Sequence, residues 1–78
     1  MNYTSRQFGL ELLQEANRGY DIVRLSRWAY SKYLSEIRNL DEGLREKIME
    51  VVVMEEGPEF EMNEEELRGF ADRLMNQQ

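Results

Sequence analysis

The stretch Met54-Glu55-Glu56-Gly57-Pro58-Glu59-Phe60-Glu61-Met62-Asn63-Glu64-Glu65-Glu66 puts seven glutamates into thirteen residues, with no basic residue among them. Clustered carboxylates suit three kinds of chemistry: binding a metal ion, acid–base catalysis, and attracting a cationic partner. Calcium ligation by Glu55, Glu56, Glu59 and Glu61 does not follow the EF-hand pattern, which alternates Asp/Asn ligands around a glycine at the sixth position. A di-iron carboxylate site needs Glu-x-x-His pairs, and the chain has no histidine. Paired carboxylates do acid–base work only in a cleft that desolvates one of them. A chain of 78 residues leaves little room for such a cleft. With no cysteine either, thiol chemistry and disulfides are excluded. The expectation is a protein that is not an enzyme, with no catalytic residue, no cofactor and no metal.

Attraction of a cationic partner remains, and local structure accounts for only part of the cluster. Glu64, Glu65 and Glu66 fall in the first turn of a helix, where negative charge interacts favourably with the backbone dipole by roughly 0.3–1 kcal/mol each. Asn63 and Glu66 have capping-box spacing, with Met62 and Leu67 placed for a hydrophobic staple. Glu55 and Glu56 instead fall at the C-terminal end of a helix, where negative charge is unfavourable. Glu59 and Glu61 add to it in the connection. Fold rules broken without compensation tend to mark functional positions, so Glu55, Glu56, Glu59 and Glu61 are the expected partner contacts.

The elements that must position these residues read as helices. Ser5 is the expected cap of a first helix that carries Phe8, Leu10, Leu12, Leu13 and Ala16 and ends at Gly19. Asp21 caps a second, in which Ile22, Leu25, Trp28, Ala29, Tyr33 and Ile37 recur at helical spacing. Asp41 caps a third with Leu44, Ile48, Val51, Val52 and Glu55 on one side and Met49, Val53 and Met54 on its flanks. Val51-Val52-Val53 is β-branched, but a lone strand cannot form a sheet. Gly57, in a left-handed conformation, and Pro58 should end this helix, whose apolar surface suggests a central position. A fourth helix follows Asn63, with Leu67, Phe70, Ala71 and Leu74 as its buried stripe. The fold class is all-α, a compact bundle of four short helices forming one domain over residues 1–78. No signal peptide or membrane span is evident, which points to a cytoplasmic protein. Asn2-Tyr3-Thr4 fits a glycosylation sequon, a chance match without a secretion signal.

Charge is unevenly spread. Residues 1–40 carry +2 and residues 41–78 carry −8, giving −6 overall. Phosphate backbones repel such a chain, so a basic protein partner is favoured over direct contact with nucleic acid. Arg24, Arg27 and Lys32 on the second helix resemble a nucleic-acid-reading face, but also suit solvated positions or pairing with the chain's own acids. Trp28 and Tyr33 fit the core. Tyr30 projects on the basic side as a candidate anchor. Phe60 either packs over the third helix, which the pattern favours, or stands out as an anchor.

Trp28-Ala29-Tyr30, the stretch from Met54 to Glu61, and the capped helix closing with Leu67-Arg68-Gly69-Phe70-Ala71-Asp72-Arg73-Leu74 together resemble small helical immunity proteins of bacterial polymorphic and contact-dependent toxin systems. The resemblance implies a cytoplasmic inhibitor that binds a delivered toxin domain, often a basic nuclease. Its contacts would be Glu55, Glu56, Glu59 and Glu61, with Tyr30 or Phe60 as apolar anchor. Three alternatives stand beside it: another inhibitor of a nucleic-acid enzyme that mimics nucleic acid, a small helical DNA-binding or regulatory protein, and an assembly subunit that pairs with a second copy of itself.

Overall fold

Side-chain caps set the helix starts. In the computed structural model, which describes residues 2–76, these are α1 Ser5–Asn17, α2 Ile22–Glu36, α3 Glu42–Val52 and α4 Glu64–Met75. Short 3-10 turns occupy Ile37–Asn39, Val53–Glu56 and Pro58–Phe60, and no strand occurs among the described residues. Asp21 accepts the Arg24 amide at 3.1 Å and Asp41 accepts that of Leu44 at 2.7 Å. Asn63 and Glu66 close a reciprocal capping box at 2.8 and 2.9 Å. The cap of α1 is Thr4 rather than Ser5. Thr4 is extended and accepts the Gln7 amide at 3.1 Å, while the Gln7 side chain accepts the Thr4 amide at 2.9 Å. Gly19 follows α1 with φ of +136°, a conformation that L side chains rarely adopt.

The third helix departs from its expected course. Regular α-structure stops at Val52 and tightens into the 3-10 turn Val53–Glu56. With three residues per turn, Met54 comes to lie beneath Val51 and is fully buried, whereas Glu55 turns out to solvent. Gly57 is extended rather than left-handed, with φ of 171°. Nor is α3 the central helix. It buries Leu44, Ile48 and Val51 but leaves Met49 and Val52 half-covered.

Two helix pairs make the bundle: α1 packs along α4, and α2 along α3. Phe8, Leu12, Ala16, Leu25, Ala29, Leu44, Ile48, Val51, Met54, Leu67, Phe70, Ala71 and Leu74 form one buried cluster with Tyr3. Met62 packs against it, so both staple residues reach the core. Trp28 joins the pairs by stacking on Phe8, with ring centroids 5.5 Å apart and planes at 10°. Tyr33 is likewise partly buried against the core, as expected, while Leu10 and Ile37 face solvent.

The α1–α4 pair is close because position 9 is glycine. A Cβ there would stand 2.6 Å from the Ala71 carbonyl oxygen and 3.1 Å from Leu74 Cβ. The Gly9→Ala substitution should gain up to ~1 kcal/mol in helix propensity. It should lose about 1–3 kcal/mol by forcing the helices apart. The expected result is net destabilisation, read as a lower urea midpoint with the slope unchanged.

Candidate functional site

The Ser26 hydroxyl is the local anchor of the site. Ser26 lies on the buried side of α2, 1% exposed, and donates to the carbonyl of Val52 at the end of α3. Val52 also starts the 3-10 turn Val53–Glu56, so the Ser26 hydroxyl is an additional donor to its carbonyl, one that fixes the end of α3 against α2. Arg27, one residue on, then faces the Val53–Glu56 turn, with Nε 3.9 Å from a Glu55 carboxylate oxygen. Tyr30 follows one turn later, its ring lying against Tyr33 with centroids 6.3 Å apart.

A cleft of about 250 Å³ lies between the two elements, lined by Ser26, Arg27, Tyr30, Val52, Glu55 and Glu56. Three of the expected contact residues, Tyr30, Glu55 and Glu56, therefore share one cleft. Glu59, Phe60 and Glu61 do not line it; they follow in the Pro58–Phe60 turn and just beyond, all exposed. Phe60 does not tuck over α3 but stands 48% exposed, and Met62 covers the core instead. The reason is local: the extended Gly57 and the turn started by Pro58 carry the chain outward before it returns at Met62.

The carboxylates of the acidic stretch differ in their company, although Glu65, exposed in the first turn of α4, also lacks an ion-pair partner among the described residues. Among the described residues, Glu56, Glu59 and Glu61 have no ion-pair partner, and Glu55 has only the long contact to a largely exposed Arg27. Glu66 is used in its cap, and Glu64 pairs with Arg68 at 2.9 Å. The bases of α2 are mostly engaged with α1. Arg24 meets Glu15 at 2.8 Å and also donates to the Glu15 carbonyl. Lys32 meets Glu11 at 3.1 Å and lies over the Tyr3 ring, 5.5 Å from its centroid. The acidic field reaches inward. The Tyr20 hydroxyl donates to the Met62 carbonyl. Its pKa is raised by burial first, then by the charges of Glu64, Glu61 and Glu66.

A second cleft of about 250 Å³, lined by Asn2, Tyr3, Gln7, Glu11, Lys32 and Glu36, lies on the α1–α2 side. Its charged groups satisfy one another: Tyr3 donates to Glu11, which also holds Lys32. Burial raises the Tyr3 pKa most, followed by the hydrogen bond to Glu11, the Glu11 charge and that of Glu36. No group of three metal-ligating side chains forms among the described residues, and none of their helices is long and apolar enough to cross a membrane.

Sequence reasoning missed Ser26 as the residue that builds the cleft, although a serine among Ile22, Leu25 and Ala29 on the apolar face was a visible signal. No family model matches the chain, and neither does any curated protein or solved structure.

Two measurements check this geometry. Ser26→Ala removes the hydroxyl that bonds the Val52 carbonyl and should cost about 0.5–1.5 kcal/mol; no measurable change in urea stability would rule the latch out. For Tyr3 and Tyr20, raised folded-state values mean that the folded protein keeps both phenol protons longer than the unfolded chain. Their contribution is fully present below the ordinary value of 10.0 and is lost as pH rises above it. Phenolate absorbance should show both ionising late in the folded protein and normally in urea. If Tyr3→Phe and Tyr20→Phe leave the late-titrating fraction unchanged, the assignment is wrong.

Proposed function

We propose that this domain acts by binding a basic protein through the acidic surface formed by Glu55, Glu56, Glu59 and Glu61, with Tyr30 and Phe60 as apolar anchors. The observation that supports the reading is that Tyr30, Glu55 and Glu56 share one cleft, while Glu59, Phe60 and Glu61 follow a few residues on, all exposed, and Glu56, Glu59 and Glu61 have no ion-pair partner among the described residues. Like charges placed together without cations repel one another in the isolated chain, and a cationic partner relieves that repulsion on binding. Exposed aromatics supply the apolar area that charged rims lack. The complementary field also speeds encounter.

The resemblance to bacterial immunity proteins gives this partner a specific form: a delivered toxin domain whose surface is basic because its substrate is a polyanion. In that role the domain is a cytoplasmic, non-catalytic inhibitor. A nucleic-acid-binding role for α2 draws little support, since Arg24 and Lys32 are each held by a carboxylate of α1.

The test is affinity capture from the native cell, using wild type and a variant in which Glu55, Glu56, Glu59 and Glu61 are all lysine. Wild type should recover a basic toxin domain, with affinity falling as salt rises. The variant should bind that domain at least about tenfold more weakly. Equal affinity would remove the acidic surface from the interface, and a captured partner that is acidic would overturn the reading.

A further inference from the structure

The exposed face of α2 carries a second apolar pattern that the core does not use. Val23, Tyr30 and Leu34 on α2, and Ile37 at the start of the 3-10 turn that follows it, are between 40% and 52% exposed. Together with Arg27 they stand at steps of four, three, four and three residues, the spacing of a coiled-coil seam. The core side of the same helix is formed by Ile22, Leu25, Ser26, Ala29 and Tyr33. One helix thus presents two stripes, and only one is covered.

We propose that this stripe binds a second copy of the chain, with the two α2 helices antiparallel about an axis near Tyr30. The sequence is centred for it: Val23 and Ile37 each lie seven residues from Tyr30, so each meets the other across the axis. The same pairing sets Leu34 of the second copy level with Ser26 and Arg27, at the mouth of the cleft lined by Tyr30, Val52, Glu55 and Glu56. A leucine side chain is an apolar knob for that hole.

Charge supports the same orientation. Arg38 is exposed in the 3-10 turn Ile37–Asn39 that follows α2 and has no ion-pair partner among the described residues. Glu55 and Glu56 flank the N-terminal half of α2, as the Arg27–Glu55 contact shows. Within one chain, Arg38 lies beyond the end of α2, and the nine residues from Arg27 to Glu36 alone rise about 13 Å, so Arg38 is remote from both glutamates. Antiparallel pairing brings the Arg38 end of each copy to the Glu55–Glu56 end of the other. A parallel pairing would place Arg38 beside Arg38. Arg27 is the polar residue of the seam, a feature that fixes register, and Glu55 is at hand to pair with it.

The area sets the strength. The four apolar side chains leave on the order of 350 Å² per copy, within the range of the largest patches on monomers and below half of a standard interface. Flanking Arg27, Arg38, Glu55 and Glu56 enlarge it, so the dimer belongs to the weak class. Tyr30, Glu55 and Glu56 are shared with the partner surface proposed above, but self-association is measured on the chain alone. Its failure therefore leaves that reading intact.

Sedimentation equilibrium of the full chain from about 1 to about 500 μM spans the micromolar range expected of so small an interface. The mass should rise from the 9.4 kDa of one chain towards twice that. Leu34→Glu changes an exposed position, so helical circular dichroism should be retained while the mass stays at one chain throughout. Arg38→Glu should weaken association at least threefold at low salt, with the effect fading as salt screens it. A wild-type mass fixed at one chain overturns the proposal. So does a dimer that folded Leu34→Glu leaves unchanged, because another face would then be responsible.

Discussion

The close approach of α1 and α4 at Gly9 is the contact on which the bundle depends. A short chain buries a smaller fraction of its surface than a long one, so each helix must reach a common core. Gly9 lets the Ala71–Leu74 segment come within backbone distance of α1. That approach lets Phe8, Leu12 and Ala16 share an interior with Leu67, Phe70 and Leu74. It also joins the first and last helices of the chain. Arg6 fastens the edge by donating to the Met75 carbonyl at 3.1 Å. The α2–α3 pair has no counterpart of Gly9 and is held by a polar latch, Ser26 on Val52. A latch leaves a cleft where a close backbone contact would not, and Glu55 and Glu56 line that cleft.

Much of the fold was legible in the sequence because helix starts are local events. Asp21, Asp41 and Asn63 each have a free amide three residues on, and no long-range contact is needed for the cap. Thr4 was legible too. A capping box needs Glu or Gln at the third helical position; counted from Thr4 that is Gln7, but from Ser5 it is Phe8. The end of α3 was less legible. Val51, Val52 and Val53 give no sign of whether the ladder continues, and the change to 3-10 geometry follows from burying Met54 and bonding Val52 to Ser26. Both are tertiary. That one change sends Met54 in and Glu55 out.

The candidate site was legible in its charges and not in its shape. A run of glutamates is visible as text, as is the wrong placement of Glu55 and Glu56 relative to a helix dipole. That Tyr30 joins those two, while Phe60 lies outside their cleft, depends on the course of two short turns. Phe60 shows the limit of pattern reading. Its neighbours Pro58 and Met62 decide its exposure, because one turns the chain outward and the other supplies the apolar cover.

Ile37 shows a different limit, and it bears on how α2 works. Read with Tyr33 at a spacing of four, Ile37 belongs to the core stripe; read with Leu34 and Tyr30, it belongs to the opposite one. Periods of 3.6 and 3.5 residues cannot be told apart over a single short helix. The 3-10 turn at Ile37–Asn39 resolves the choice by rotating Ile37 out to solvent. A helix that is apolar on two faces is normally buried on both. Here the second face stays open, bordered by Arg27, by Glu55, which Arg27 reaches at 3.9 Å, and by Glu56, which has no ion-pair partner among the described residues. Apolar area and unpaired charge at one edge are what a weak, electrostatically guided interface requires. Neither feature adds to the stability of the monomer: exposed apolar side chains bury nothing, and like charges set together repel.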